Sequence, residues 1–255
     1  MAIYLKKFET QAAYEAAQSS LILPNVSLTV DNNTVHYNPS TPPTPTHDFV
    51  EIGGIKWATM NIGASQPSDY GLYFAWGDTQ GYTAAQVGEG EGQKYFGWED
   101  YKYGDGTSSP GAASMTKYGH TDGKTVLDAS DDAVKAAWGG NWRMPTVSEW
   151  QVLGEAVNSA WTADYQGSGV SGLVLTDKTD SSKVLFFPAA GYCFIGSVYD
   201  GGSLGNYWSS SLRSIEVTFQ KAYNLYFNNG KVNWRLNNDR YIGFPVRGIL
   251  DDSNN

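Results

Sequence analysis

The chain has 255 residues, 41% of them hydrophobic and 14% aromatic, with 29 glycines and a net charge of −9. That is enough for one sizeable core plus a small second unit, and the acid excess with scattered Lys and Arg leaves no basic patch for a nucleic-acid partner. The single cysteine, Cys193, excludes an intrachain disulfide and a Cys-cluster metal site, and no apolar run approaches the length of a membrane span.

Residues 1–38 read as a small α/β unit. Ile3 to Phe8 suits a strand, and Thr10 can cap a short helix over Gln11–Ser20. Asn25–Val30 and Thr34–Tyr37 flank Asp31-Asn32-Asn33 as a hairpin. The opening MAIYLKKFETQ has no apolar core followed by a small-residue cleavage site, so synthesis in the cytoplasm is expected. Residues 39–47 are Pro-rich and read as an extended, semi-rigid linker.

The second unit is expected over 48–250, with 251–255 as a tail. Phe49–Ile52 and Ile55–Ala58 read as strands around Gly53-Gly54, and Tyr70–Gly77 as a buried aromatic segment. Residues 78–125, rich in Gly, Tyr, Asp and Ser, lack periodicity and read as a long surface insertion. Two helices follow. One is predicted over about Asp131–Trp138, with Ser130 as its N-cap and Gly139 as its stop. The other begins at Thr146, where Thr146-Val147-Ser148-Glu149 forms a capping box. Leu173–Thr176 and Lys183–Phe187 read as strands. Ala222–Phe227 and Lys231–Trp234 form a hairpin around Asn228-Asn229-Gly230, and Phe244–Ile249 closes the chain. The fold class is α+β: short antiparallel strands, two helices and long loops.

No catalytic set assembles. His36, His47 and His120 share no metal-ligand spacing, and no nucleophile elbow or Ser-His-Asp set is visible. The acidic Gly88-Glu89-Gly90-Glu91-Gly92 would repel a phosphate and reads as a loop. Helix capping explains Asp128, Asp131 and Asp132 better than acid–base chemistry does. Arg143 and Arg247 are expected in buried structural hydrogen bonds, and Trp138, Trp142, Trp150 and Trp208 in the core. A non-enzyme without metal or other cofactor is expected.

Residues 192–247 are different in character. Framework-like groups, among them Tyr207-Trp208-Ser209-Ser210, Ala222-Tyr223-Asn224-Leu225 and Pro245-Val246-Arg247-Gly248, alternate with chemically arbitrary residues. The region is heavy in Tyr, Ser, Gly and Asn with a few Trp and Arg, the composition of an adaptable contact surface. A Gly/Asn-rich run of β-turns ending a β-rich domain explains that composition equally well. The candidate ligand-binding residues are Phe194, Ile195, Tyr199, Asp200, Leu204, Asn206, Leu212, Arg213, Trp234, Arg235, Leu236, Asn237, Asn238, Asp239, Ile242 and Phe244. Trp234 stands evenly between core and contact surface.

A series of motifs then carries a resemblance. It runs through Ile52-Gly53-Gly54-Ile55-Lys56-Trp57-Ala58-Thr59-Met60-Asn61-Ile62-Gly63-Ala64, Gly71-Leu72-Tyr73-Phe74-Ala75-Trp76-Gly77-Asp78-Thr79 and Trp138-Gly139-Gly140-Asn141-Trp142-Arg143-Met144-Pro145-Thr146. It continues in Phe187-Pro188-Ala189-Ala190-Gly191-Tyr192, Tyr207-Trp208-Ser209-Ser210 and Pro245-Val246-Arg247. Over roughly 48–250 it resembles the C-type-lectin-like family known for the major paralogous domain of Fibrobacter, whose members include variable proteins of diversity-generating retroelements. In those proteins a reverse transcriptase rewrites the 3′ end of the gene at template adenines, and the altered residues form a binding face. Tyr4-Leu5-Lys6-Lys7-Phe8, Tyr14-Glu15-Ala16-Ala17, Pro24-Asn25-Val26-Ser27-Leu28 and Val35-His36-Tyr37 are similar to a segment of tail proteins in phages of Bacteroides-type hosts.

Together the resemblances imply a receptor-binding protein of the virion tail. They imply a host-cell surface receptor, protein or glycan, as partner, and a tail structural protein held by the N-terminal unit. They point to a homotrimer and to diversified positions within 192–247. The sequence departs from animal C-type lectins: no paired carboxylate–amide calcium motif is recognisable. It also departs from formylglycine-generating enzymes on the same fold, which need reactive cysteines. A fixed-specificity lectin-like adhesin at the bacterial surface is the alternative.

Overall fold

The computed structural model describes residues 27–30, 33–36, 47–108, 114–119, 122–213 and 220–251. The strand expected over 3–8, the helix over 11–20, most of the linker, His120 and the 252–255 part of the tail lie outside the described residues. The chain divides into two units, Met1–Thr44 and Pro45–Asn255.

In the first unit, β1 (Ser27–Val30) and β2 (Asn33–His36) pair antiparallel, with Val30 opposite Asn33. Asn33, read from the sequence as part of the turn, is the first residue of β2.

The second unit is built from antiparallel sheets. One is four-stranded, in the order β3 (Phe49–Ile52), β4 (Ile55–Asn61), β14 (Arg247–Leu250), β5 (Trp142–Arg143). A second contains β6 (Val157–Thr162), β7 (Gly172–Asp177) and β8 (Val184–Pro188) in sequence order. A third contains β11 (Leu204–Leu212), β12 (Lys221–Asn228) and β13 (Lys231–Asp239), and β9 (Tyr192–Phe194) with β10 (Ser197–Tyr199) form a small hairpin. β6 and the β9–β10 hairpin carry little apolar alternation, which is why sequence pattern does not reveal them.

Two α-helices occur among the described residues: α1 (Ala133–Trp138) and α2 (Val147–Ala156). The α1 cap is Asp132, not Ser130. Its carboxylate accepts from the Val134 and Lys135 N–H groups at 2.8 and 3.0 Å, and from Met144 N at 2.8 Å. A Ser cannot hold three donors with one oxygen set so placed, and the residues ahead of Asp132 form a 3-10 turn instead. Gly139 ends α1 at φ +66°, as expected. α2 keeps the capping box: Thr146 Oγ accepts from Glu149 N, and Thr146 N donates to the Glu149 carboxylate at 2.7 Å.

Two aromatic clusters form the core. The first holds Tyr73, Phe74, Trp76, Trp138, Trp142, Trp208 and Phe244; the second holds Trp57, Trp150, Leu153, Phe187, Tyr207, Leu225 and Phe227. β11 separates them. Successive residues of a strand point to opposite faces, so Tyr207 enters the second cluster and Trp208 the first. A strand buried on both faces shows no polar alternation, which accounts for the framework character of Tyr207–Ser210.

The insertion over 78–125 is not merely surface. Phe96, Trp98, Tyr101, Tyr103, Met115 and Tyr118 are buried in the first cluster. Aromatic area is worth burying even from an irregular segment, and loop periodicity carries no sign of it. Asp131 helps to hold the insertion rather than capping a helix. It takes hydrogen bonds from Lys117, from Tyr118 at 2.7 Å and from Lys102 at 3.1 Å. Burial pushes its carboxyl up, but these donors outweigh it and keep the group well below the usual carboxylate range. Asp128 is paired with Lys117 and Lys124.

Candidate ligand-binding face

The candidate residues separate into three places. Asn206, Leu212 and Phe244 are buried and cannot meet a ligand in this fold. Leu212 packs in the first cluster, and the Phe244 ring lies 4.3 Å from that of Trp208. Asn206 belongs to a ladder across the third sheet: Asn238 Nδ2 donates to Asn224 Oδ1, and Asn224 Nδ2 donates to Asn206 Oδ1, both at 3.0 Å. This ladder also takes Asn238 away from a free contact role. Its amides satisfy one another across three strands, a way of fixing register.

The second place is the outer face of β12 and β13. Tyr223 pairs with Asn237, and Lys221 with Asp239. Arg213 Nη1 donates to Asn237 Oδ1 at 2.8 Å, the Arg235 guanidinium lies 5.2 Å from the centre of the Tyr223 ring, and Lys221 is 3.6 Å from Asp239. Arg213, Tyr223, Arg235, Asn237 and Asp239 thus share one face and all reach solvent. Tyr223 was missed in the sequence because Ala222-Tyr223-Asn224-Leu225 reads as one framework block. The alternation within that block, outward Tyr223 between buried Ala222 and Asn224, is the signal that separates it. Trp234 lies on the opposite side of β13, packed against the second cluster. Its ring covers Gly154 of α2, where a Cβ would come within 2.6 Å of the indole. That resolves Trp234 as framework. Leu236 is half-buried opposite Asn224.

The third place is the β9–β10 hairpin. Phe194 pairs with Ser197, so Ile195 and Gly196 are its two turn residues. Ile195 is 39% and Tyr199 41% exposed, and Asp200 is exposed beside them. Tyr199 stacks on Tyr192 at 5.5 Å, and Phe194 lies 5.9 Å from Tyr241. Leu204 and Ile242 are half-buried. The insertion supports the turn from below: Ile195 N donates to Phe96 O at 3.2 Å and Gly196 N to Tyr95 O at 2.6 Å. The Gly88–Gly92 loop reaches the same place, with Glu89 Cγ against Gly196.

This hairpin joins the sheet face through the chain itself. β13 ends at Asp239, Ile242 N turns back to Asp239 O at 3.1 Å, and Gly243 then pairs with Cys193 of β9.

Cys193 is buried, and burial pushes its thiol up to about 12, so it stays protonated and unreactive. Among the described residues no three His, Cys, Asp or Glu side chains converge as a metal site, and no helix is long and apolar enough to cross a membrane. A groove of about 530 Å³ is lined in part by Arg143, Glu149 and Asp251. There Arg143 is committed to Glu149 at 2.6 Å and to Asp251 at 2.7 Å, so its ionic groups serve the fold. No protein family, curated protein or solved structure matches this chain.

Proposed function

We propose that the chain is a receptor-binding protein of a phage tail. In this reading the second unit is a C-type-lectin-like domain whose β12–β13 face and β9–β10 tip meet a host-surface molecule. The N-terminal unit attaches to a tail protein, and a retroelement rewrites the exposed positions of 192–247. The sequence resemblance supplies the biological setting.

One observation carries the reading. Ile195 has φ +44° and Gly196 φ +69°, the backbone of a two-residue turn with both residues left-handed. Asn or Asp followed by Gly is the usual choice there, and a β-branched residue is a genuine outlier at positive φ. An exposed isoleucine at such a position forgoes much of the gain of full burial and works against its own backbone. A side chain held against local preference at the tip of a supported loop fits selection for contact rather than for folding.

The test is Ile195→Asn, measured for unfolding and for capture of intact Bacteroides-type cells. Relief of the left-handed strain should stabilise the fold by about 1 kcal/mol, raising Tm by about 2–4 °C. Capture should fall at the same time. Higher Tm with unchanged capture would remove the tip from the contact surface.

A further inference from the structure

The β12–β13 hairpin is basic in an acidic protein. Its two strands carry Lys221, Lys231 and Arg235 against the one carboxylate of Asp239, and Arg213 lies on the same face, while the whole chain carries −9. The two arginines are the informative members. Among the described residues neither has a carboxylate partner. Each is held instead by a neutral group: Arg213 by the Asn237 amide at 2.8 Å, Arg235 by the Tyr223 ring and, at 3.4 Å, its hydroxyl. Elsewhere in the chain the arginines are spent inside the fold: Arg143 in ion pairs, Arg240 and Arg247 fully buried. Guanidinium groups held in place by neutral partners keep their charge available for an external anion, and their planar fork suits carboxylates.

We infer that this face takes an acidic, carboxylate-bearing polysaccharide. The inference rests on the ligand-binding reading above and names the class of ligand. The face is an open sheet surface rather than a pocket, which suits a chain lying across it more than a compact ligand. Asn237 and Tyr223 supply amide and phenol groups for sugar hydroxyls between the two cationic positions. The acid excess of the rest of the chain would repel an anionic polymer, confining its contact to this strip.

The test uses polygalacturonate, with neutral dextran as the comparison, against the full chain and its Arg213→Gln, Arg235→Gln and Arg235→Lys variants. Unfolding curves confirm that each variant is folded. Polygalacturonate should bind and dextran should not. Each Gln variant should weaken binding about tenfold, with Lys recovering part of the loss. Affinity should also fall severalfold between about 50 and about 500 mM salt. Equal binding of the two polymers, or binding indifferent to salt and to both Gln variants, overturns the inference. The two failures separate in cell capture. If Ile195→Asn lowers capture while the Gln variants do not, the contact surface stands and its anionic ligand falls. If neither lowers it, the contact surface itself falls.

Discussion

An Arg247→Met variant is expected to lose about 3 kcal/mol of stability. Arg247 is fully buried and joins three sheets. From β14 its Nε donates to Asn61 Oδ1 at 2.9 Å and its Nη1 to Ala58 O at 2.9 Å, both on β4; its Nη2 donates to Phe186 O of β8 at 3.0 Å. Asn61 in turn donates to the Tyr207 hydroxyl of β11 at 3.2 Å. The guanidinium lies 4.3 Å from the centre of the Phe187 ring. Two effects oppose each other. Burial pulls the Arg247 pKa down to about 10, a sign that the charge is costly where it sits, and Met removes that cost. Met also strands three buried acceptors, at roughly 1–3 kcal/mol each. The stranded acceptors win because Ala58, Asn61 and Phe186 are all buried, away from bulk solvent that could satisfy them. Denaturant unfolding checks this; a midpoint equal to that of the parent protein would show that the sheets do not depend on the fork.

Arg240→Met should cost a similar amount, about 3 kcal/mol, but in one region. Arg240 follows β13 and is fully buried. It donates to the Tyr101 hydroxyl at 2.8 Å and to the carbonyls of Tyr118 and Lys117 at 3.0 Å, and it lies over the Trp76 ring at 5.0 Å. These bonds fasten the insertion to the chain just beyond β13. The insertion also holds the hairpin turn through Tyr95 and Phe96. Loss of Arg240 should therefore raise hydrogen exchange over 95–108, 114–119 and the 192–199 hairpin, with β6–β8 unchanged. Uniform loss of protection across the second unit would contradict this placing of Arg240.

Turn and cap chemistry was legible: Gly53-Gly54, the Asn229-Gly230 turn, the Thr146–Glu149 box and the Gly139 stop all lie where local residue preferences put them. Framework positions were legible too, because Tyr207–Ser210 and Arg247 are buried on all sides. The face was legible only in part. Asn206 and Asn238 looked arbitrary because Asn is normally a surface residue, and only the cross-strand ladder shows the amides satisfying one another. Arg240 was passed over because its partners, Lys117 and Tyr118, lie more than a hundred residues away. Trp234 could be settled only by finding Gly154 beneath it.

The central claim is that a fixed framework carries a replaceable contact face. Deep sequencing of this gene and its flanks across a source population tests it most directly. Substitutions should concentrate at Ile195, Tyr199, Asp200, Arg213, Arg235 and Asn237, and a nearby near-copy should carry adenines that match those sites. Asn206, Leu212, Trp234, Arg240, Phe244 and Arg247 should stay constant, because the core and its hydrogen bonds hold them. Variation spread evenly along the chain, or falling as often on the buried ladder as on the exposed face, would contradict it.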